Sequence, residues 1–127
     1  MKQEIWIYID CPIEKLLKWL SSVIGPLKEK EKIGDTCTFY NDSNNGVVLI
    51  MSNHENSCLE VGFYSPPNLW TTPVECGRQA ARELKCKVRC EPGADYPEVH
   101  PLSDTFLEID GTKEPLQERL FTWEEET

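Results

Sequence analysis

Two histidines and six cysteines are the residues of this chain best suited to reactive chemistry. His100 stands in the run Glu98, Val99, His100, Pro101, with Asp104 just beyond it. Imidazole titrates near neutral pH and a carboxylate can fix its tautomer, so His100 with Glu98 or Asp104 has the makings of a general base and its orienting acid. His54 beside Glu55 has the same makings, and a cysteine thiolate paired with His100 would be a nucleophile. A histidine in a polar loop is equally a plain surface residue. The cysteines have core settings: Cys86, Val88 and Cys90 alternate with Lys87 and Arg89, and Cys37 shares a strand face with Phe39. Free cysteine in such places packs as a small apolar side chain. Cys86 and Cys90 would need two more ligands, from His54, His100 or Cys58, to hold a metal, and no second pair at ligand spacing answers them. No glycine-rich phosphate loop, HExxH or GxSxG occurs. The expectation is a protein that is not an enzyme and uses no cofactor or metal.

Carboxylates are the other chemistry on offer. Glu108 in one strand and Glu118 in the next are expected to face each other across a final hairpin, and Asp95, Glu98 and Asp104 crowd the loop before it. Such groups do acid and base work or hold a hard cation when a pocket separates their proton affinities. No calcium-loop spacing is present, which leaves a solvated acidic face or a surface that recognises Lys and Arg through charge-assisted hydrogen bonds. Charge distribution favours recognition. Residues 1–90 carry 11 Lys and Arg against 11 Asp and Glu, and residues 91–127 carry 2 against 11, so the formal charge of −9 arises entirely after position 90. A field of that sign repels nucleic acid and anionic membrane and steers cationic macromolecules inward. Tyr96 in the acidic loop and Trp70 in an earlier loop are not demanded by strand or helix periodicity, and each such ring either anchors an interface or caps one end of the core. The expected binding surface is therefore Glu91, Asp95, Tyr96, Glu98 and Asp104 with Trp70, Glu108 and Glu118. Trp123 is expected to pack near the C-terminus, with Glu124, Glu125 and Glu126 in solvent.

The elements that must position these groups are legible from pattern. EIWIYID is apolar on both faces, as a central strand covered on two sides would be. Asp10 or Cys11 then caps a helix with Pro12 at its first position; Ile13, Leu16, Leu17, Leu20, Val23 and Ile24 form its stripe, and Gly25 and Pro26 end it. The charged segment LKEKEKIGD reads as a solvated connector. TCTFYND, GVVLIMSNHE and LEVGFYS form an antiparallel meander, turning first at Asp42, Ser43, Asn44, Asn45 and Gly46 and ending at Pro66 and Pro67. A second helix starts at a Thr72 cap with Pro73 and Glu75, and buries Val74, Cys76, Ala80, Ala81 and Leu84. CKVRC is a short strand, placed beside the first and parallel to it. The run from Glu91 to Asp104 is a long loop with three prolines, and TFLEI and LQERLFTW flank Asp110 and Gly111 as a last hairpin. The order β α β β β α β β β predicts one α+β domain over residues 1–127, with a mixed, mostly antiparallel sheet and two helices.

Size and composition agree with a single globular unit of 127 residues, 39% of them hydrophobic. No stretch approaches the ~20 apolar residues that span a bilayer. The start MKQEIWIYID lacks the pattern of a secretion signal, so a cytoplasmic location with reduced cysteines is expected.

The helix TTPVECGRQAARELK and the following CKVRCEPGADYPEVHPLSDTFLEIDG resemble the small acidic immunity proteins encoded beside bacterial polymorphic toxins, including those of contact-dependent growth inhibition systems. VRCEPG, the YPEVHP loop and FLEIDG carry the likeness, over roughly residues 70–111. The resemblance implies a cytoplasmic inhibitor that binds a cognate toxin domain, often a nuclease, and blocks its active site or substrate channel. A nuclease is basic where it holds phosphate, and a compact acidic inhibitor complements it. The partner expected is thus a basic protein domain, not nucleic acid or membrane. Two other readings stay open: a small enzyme using His100 with a carboxylate or thiol, and an acidic adaptor protein without a toxin partner.

Overall fold

Strand β1 (Glu4–Ile9) buries Ile5, Ile7 and Ile9 and leaves Trp6 and Tyr8 half-buried, the alternation of a strand with one covered face. The computed structural model describes residues 4–41, 46–53, 58–64, 70–100 and 103–122. After β1 come helix α1 (Ile13–Ile24), strands β2 (Lys28–Ile33), β3 (Thr36–Asn41), β4 (Gly46–Asn53) and β5 (Cys58–Tyr64), helix α2 (Pro73–Leu84), and strand β6 (Lys87–Cys90). A 3-10 turn at Gly93–Asp95 precedes β7 (Thr105–Asp110) and β8 (Gln117–Thr122). The strands form one eight-stranded sheet in the order β2-β3-β4-β5-β1-β6-β7-β8. The α+β class and the expected succession of elements are observed, with one strand more than anticipated.

That additional strand is β2, read from its charges as a connector. All six of its residues are exposed, and it pairs only with β3, across the two-residue turn Gly34-Asp35 where Gly34 has φ +58°. A two-residue loop with a left-handed glycine fixes a hairpin whatever the strand's hydrophobicity. Alternating Lys and Glu then suit an edge strand, because they discourage pairing with another chain. Every recorded strand pairing is antiparallel. This corrects the parallel placement of β6, which runs opposite to β1 with Ile9 facing Val88.

Both helices pack on the Ile5, Ile7, Ile9 face. Leu16, Trp19, Leu20 and Ile24 of α1 share one core with Phe39, Val48 and Ile50, and Val74, Cys76, Ala80, Ala81 and Leu84 of α2 share it with Val88, Leu107 and Ile109. The start of α1 differs from expectation: Pro12 itself stands at the cap, no side chain caps the helix, and Asp10 instead continues the β1 ladder to Lys87. The other end is closed by Asn41, whose buried amide donates to the carbonyls of Ile24 at 2.7 Å and Pro26 at 3.0 Å. At α2 the Thr72 hydroxyl accepts from the Glu75 amide at 3.2 Å, and the Glu75 carboxylate accepts from the amide and hydroxyl of Thr71. Gly77 lets this helix sit close on the sheet, since a Cβ there would lie 3.1 Å from Ile109. Gly111 abuts the end of the same helix, where a Cβ would strike the carbonyl of Ala81.

The opposite sheet face is covered by neither α1 nor α2. This overturns the reading of β1 as a strand buried on both sides. The first meander turn at Asp42 to Asn45, His54 and Glu55, Pro66 and Pro67, and Trp123 with the terminal glutamates lie outside the described residues.

Candidate functional site

Strand alternation puts Glu4, Trp6 and Tyr8 of β1 on the open face, with Met51 of β4, Glu60 of β5, and Arg89, Phe106 and Glu108 of the neighbouring strands. The register seats Glu60 directly opposite Tyr8 and Gly62 opposite Trp6. Rings cluster there in two groups. Trp6 meets Tyr64 edge-on at 5.8 Å, Tyr8 meets Phe106 at 6.1 Å, and Phe106 lies 6.4 Å from Phe121. A cleft of about 370 Å³ opens there, lined by Glu4, Trp6, Tyr8, Met51, Glu60, Pro73, Glu91 and Phe106. Three carboxylates thus rim an aromatic floor. Two of them act on Tyr8, whose phenol is pushed above its ordinary value by burial first, then by Glu60 and, more weakly, by Glu91.

The cleft continues towards the β6–β7 loop. A smaller hollow of about 160 Å³ shares Glu91 and Phe106 with it and adds Pro92, Gly93, Val99, His100, Ser103 and Thr105. His100 is exposed at its edge, and its carbonyl accepts from the Ser103 amide at 3.0 Å. Glu98 and Asp104 are exposed on the same loop.

Beyond Phe106 the open face is neutralised from within. Glu108 is 4% exposed and accepts from Arg89 at 2.9 and 3.0 Å and from Arg119 at 3.0 and 3.3 Å. Burial works against its ionisation, yet the bonds and charges of Arg119 and Arg89 outweigh it and hold the carboxyl below its usual range. Both guanidinium groups also lie over the Phe121 ring, at 4.6 Å for Arg89 and 5.4 Å for Arg119. This is a structural network rather than a free anionic patch.

The sequence-derived surface is therefore divided. Glu108 and Glu118 do not face each other: Glu108 is opposite Arg119, while Glu118 is opposite Ile109 and belongs to the helix side. The cause is an odd register sum, which sets neighbouring positions on alternate faces. Glu118 accepts from Arg78 at 2.8 and 3.0 Å and from the Tyr96 hydroxyl at 2.7 Å, and Arg78 also reaches Asp95 at 3.1 Å. These bonds, led by Arg78, hold the Glu118 carboxyl low. Tyr96 and Asp95 are thereby fastened to α2. Trp70 is no exposed anchor either; it is 4% exposed, stacks on Trp19 at 6.1 Å, meets Phe63 at 5.2 Å, and donates to Gln79 at 2.8 Å. Its ring closes one end of the core. The acidic residues after position 90 do not form one patch. Of the expected set, Glu91 alone lines the cleft, and Glu98 and Asp104 stand exposed beside it.

A second cavity, about 760 Å³, lies between α2 and the β7–β8 connection and has the other sign. Arg78, Arg82, Lys85 and Lys113 line it with Glu114 and Glu118. The chain thus shows an acidic, aromatic hollow on its open sheet face and a basic one on its helix side.

The cysteines are free, and Cys58, Cys76, Cys86 and Cys90 are buried as expected. Burial drives the Cys76 thiol up and that of Cys90 up to about 12. Among the described residues no group of three or more His, Cys, Asp and Glu is arranged to hold a metal ion. Among the described residues no helix is long and apolar enough to cross a membrane.

Sequence reasoning missed Glu4, Trp6, Tyr8, Met51, Glu60 and Phe106. The available signal was Glu60, set between Leu59 and Val61: a charge paired across from Tyr8 marks that face of β1 as wet. Neither a family model, nor a curated protein, nor a solved structure matches the chain.

Proposed function

We propose that the chain is a non-enzymatic binding protein whose acidic, aromatic cleft takes up Lys and Arg side chains of a basic protein. The partner is a cognate toxin domain, a nuclease in the version we favour, and binding in the cytoplasm covers its active site or substrate channel. The observation that carries this reading is the rim of Glu4, Glu60 and Glu91 around Trp6, Tyr8 and Phe106. A guanidinium entering such a site gains a charge-assisted hydrogen bond of about 1.5–3 kcal/mol and a cation–π contact of about 0.5–2 kcal/mol. Flanking aromatic area on an open sheet supplies the apolar centre that a stable interface requires, and about 800 Å² per partner suffices. The identity of the partner as a toxin rests on the resemblance of residues 70–111 to immunity proteins.

The test is to co-express the chain with the toxin domain of the adjacent gene and to measure co-elution and inhibition across a salt series. Stoichiometric inhibition whose onset slows with added salt supports the reading. Absence of a complex at low salt overturns it.

A further inference from the structure

Cys11 and Cys86 lie at the junction of the two helices with the sheet. In the antiparallel pairing of β1 with β6, Tyr8 faces Arg89 and Ile9 faces Val88, and the Asp10 amide donates to the Lys87 carbonyl at 3.1 Å. Cys11 and Cys86 stand just past the ends of β1 and β6, where one further step of this register would set them opposite each other. Hydrogen-bonded and non-hydrogen-bonded pairs alternate along such a ladder. Since Asp10 and Lys87 are bonded, regular continuation of the ladder would give Cys11 and Cys86 the closer, non-bonded kind of position, with Cα atoms about 4.5 Å apart. A disulfide spans Cα separations of about 4.4–6.8 Å. The proton affinity of each thiol responds most to the other, as for neighbouring side chains, and the Cys11 thiol donates to the Pro12 carbonyl at 3.5 Å. Cys11 is half-buried and reachable, whereas Cys86 is 6% exposed beneath it. By contrast, Cys76 and Cys90 neighbour each other with 0% exposure, out of reach of any reagent.

We propose that Cys11 and Cys86 form an oxidative modification site, in which a peroxide converts the pair to a reversible disulfide joining the start of α1 to the end of α2. The two sulfurs have distinct parts. The neighbouring Cys86 thiol and then the ammonium of Lys15 lower the proton affinity of Cys11 against the opposing effect of burial, while Cys86 is shifted the other way. Lys15 is held in place by donating to the Leu84 carbonyl at 2.6 Å. The Cys11 thiolate attacks one oxygen of hydrogen peroxide; an S–O bond forms, the O–O bond breaks, and hydroxide leaves. Cys86 then gives its proton to that hydroxide and attacks the Cys11 sulfenic sulfur; the S–S bond forms and the S–O bond breaks. The departing hydroxide takes up a proton from solvent as water. Two electrons pass from the thiols to peroxide, which ends as two waters. A thiol reductant restores both cysteines. Because residues 11–86 would be enclosed in one covalent loop, the oxidised chain resists unfolding more than the reduced one.

The experiment treats the folded full chain with hydrogen peroxide, alkylates the remaining thiols after denaturation, and maps the peptides by mass spectrometry. The expected product is an intrachain Cys11–Cys86 peptide lacking two hydrogens, with Cys76 and Cys90 alkylated and a melting temperature about 5 °C or more above the reduced form. Cys86→Ser should leave Cys11 as a sulfenic acid that a dimedone probe captures. Cys11→Ser should leave Cys86 unmodified. An intermolecular Cys11 disulfide, oxidation centred on another cysteine, or no loss of thiols in the wild-type chain would overturn the proposal.

Discussion

The indole of Trp6 lies over Gly62, its cross-strand partner, and fills the space a side chain there would occupy: a Cβ at Gly62 would sit 2.6 Å from the ring. Glycine usually weakens a strand, but here its bare backbone is the seat of the cleft's aromatic floor. Gly62→Ala should tilt Trp6 towards solvent at a cost of about 1–2 kcal/mol, small because the ring is already half-exposed. The change should be read as a red-shifted tryptophan emission with a modest fall in melting temperature. Partner affinity should fall by more than that stability loss explains.

Glu108 stands between two cations and stabilises the open face only while it is charged. Glu108→Gln leaves Arg89 and Arg119 without their shared anion. Because Arg119 is half in solvent, the expected loss is about 2–3 kcal/mol rather than the larger cost of a fully buried pair, measured by urea unfolding.

Acid should act through the same groups. Glu108 and Glu118 both have carboxyl groups held below their ordinary 4.5 in the folded chain. A depressed folded value means that stability is fully present above the unfolded value and disappears as pH falls through the folded one. Unfolding free energy is expected to be level with respect to these two groups above about pH 6 and to decline below about pH 4.5. The decline should shrink in the Glu108→Gln variant; an unchanged profile would show that other groups govern acid unfolding.

Thr72 and Glu75 hold the start of α2, whose Pro73 is among the residues lining the cleft. Thr72→Ala removes the hydroxyl that accepts the Glu75 amide and should cost about 1 kcal/mol, whereas Thr72→Ser should restore most of it. Thermal melts of the two variants check this.

Much of the architecture could be read from residue order, and the failures have physical causes. The α1 stripe, the α2 cap and the Cys86, Val88, Cys90 alternation correspond to observed elements because burial imposes a period that local sequence records. Strand β2 has no such period, since an edge strand with both faces wet buries nothing. Its only trace was the Gly34-Asp35 turn. Site residues were less legible. A loop position does not decide whether Trp70 anchors an interface or caps the core, and its ring packs on Trp19 and Phe63. Glu118 and Asp95 looked available because sequence shows charge but not its neutralisation by Arg78, distant along the chain. The cleft depends on which face both helices choose, and that choice is a tertiary fact absent from the pattern of β1 itself.

The central claim is that a basic partner docks on the carboxylates of the open sheet face. It is tested by the dissociation constant of the chain with the toxin domain proposed as its partner, measured for wild type, Glu4→Lys/Glu91→Lys and Glu98→Lys/Asp104→Lys. The first double variant is expected to bind about a hundredfold more weakly and to depend less on salt, and the second to lose about tenfold or less. Wild-type affinity in the Glu4→Lys/Glu91→Lys chain would contradict it.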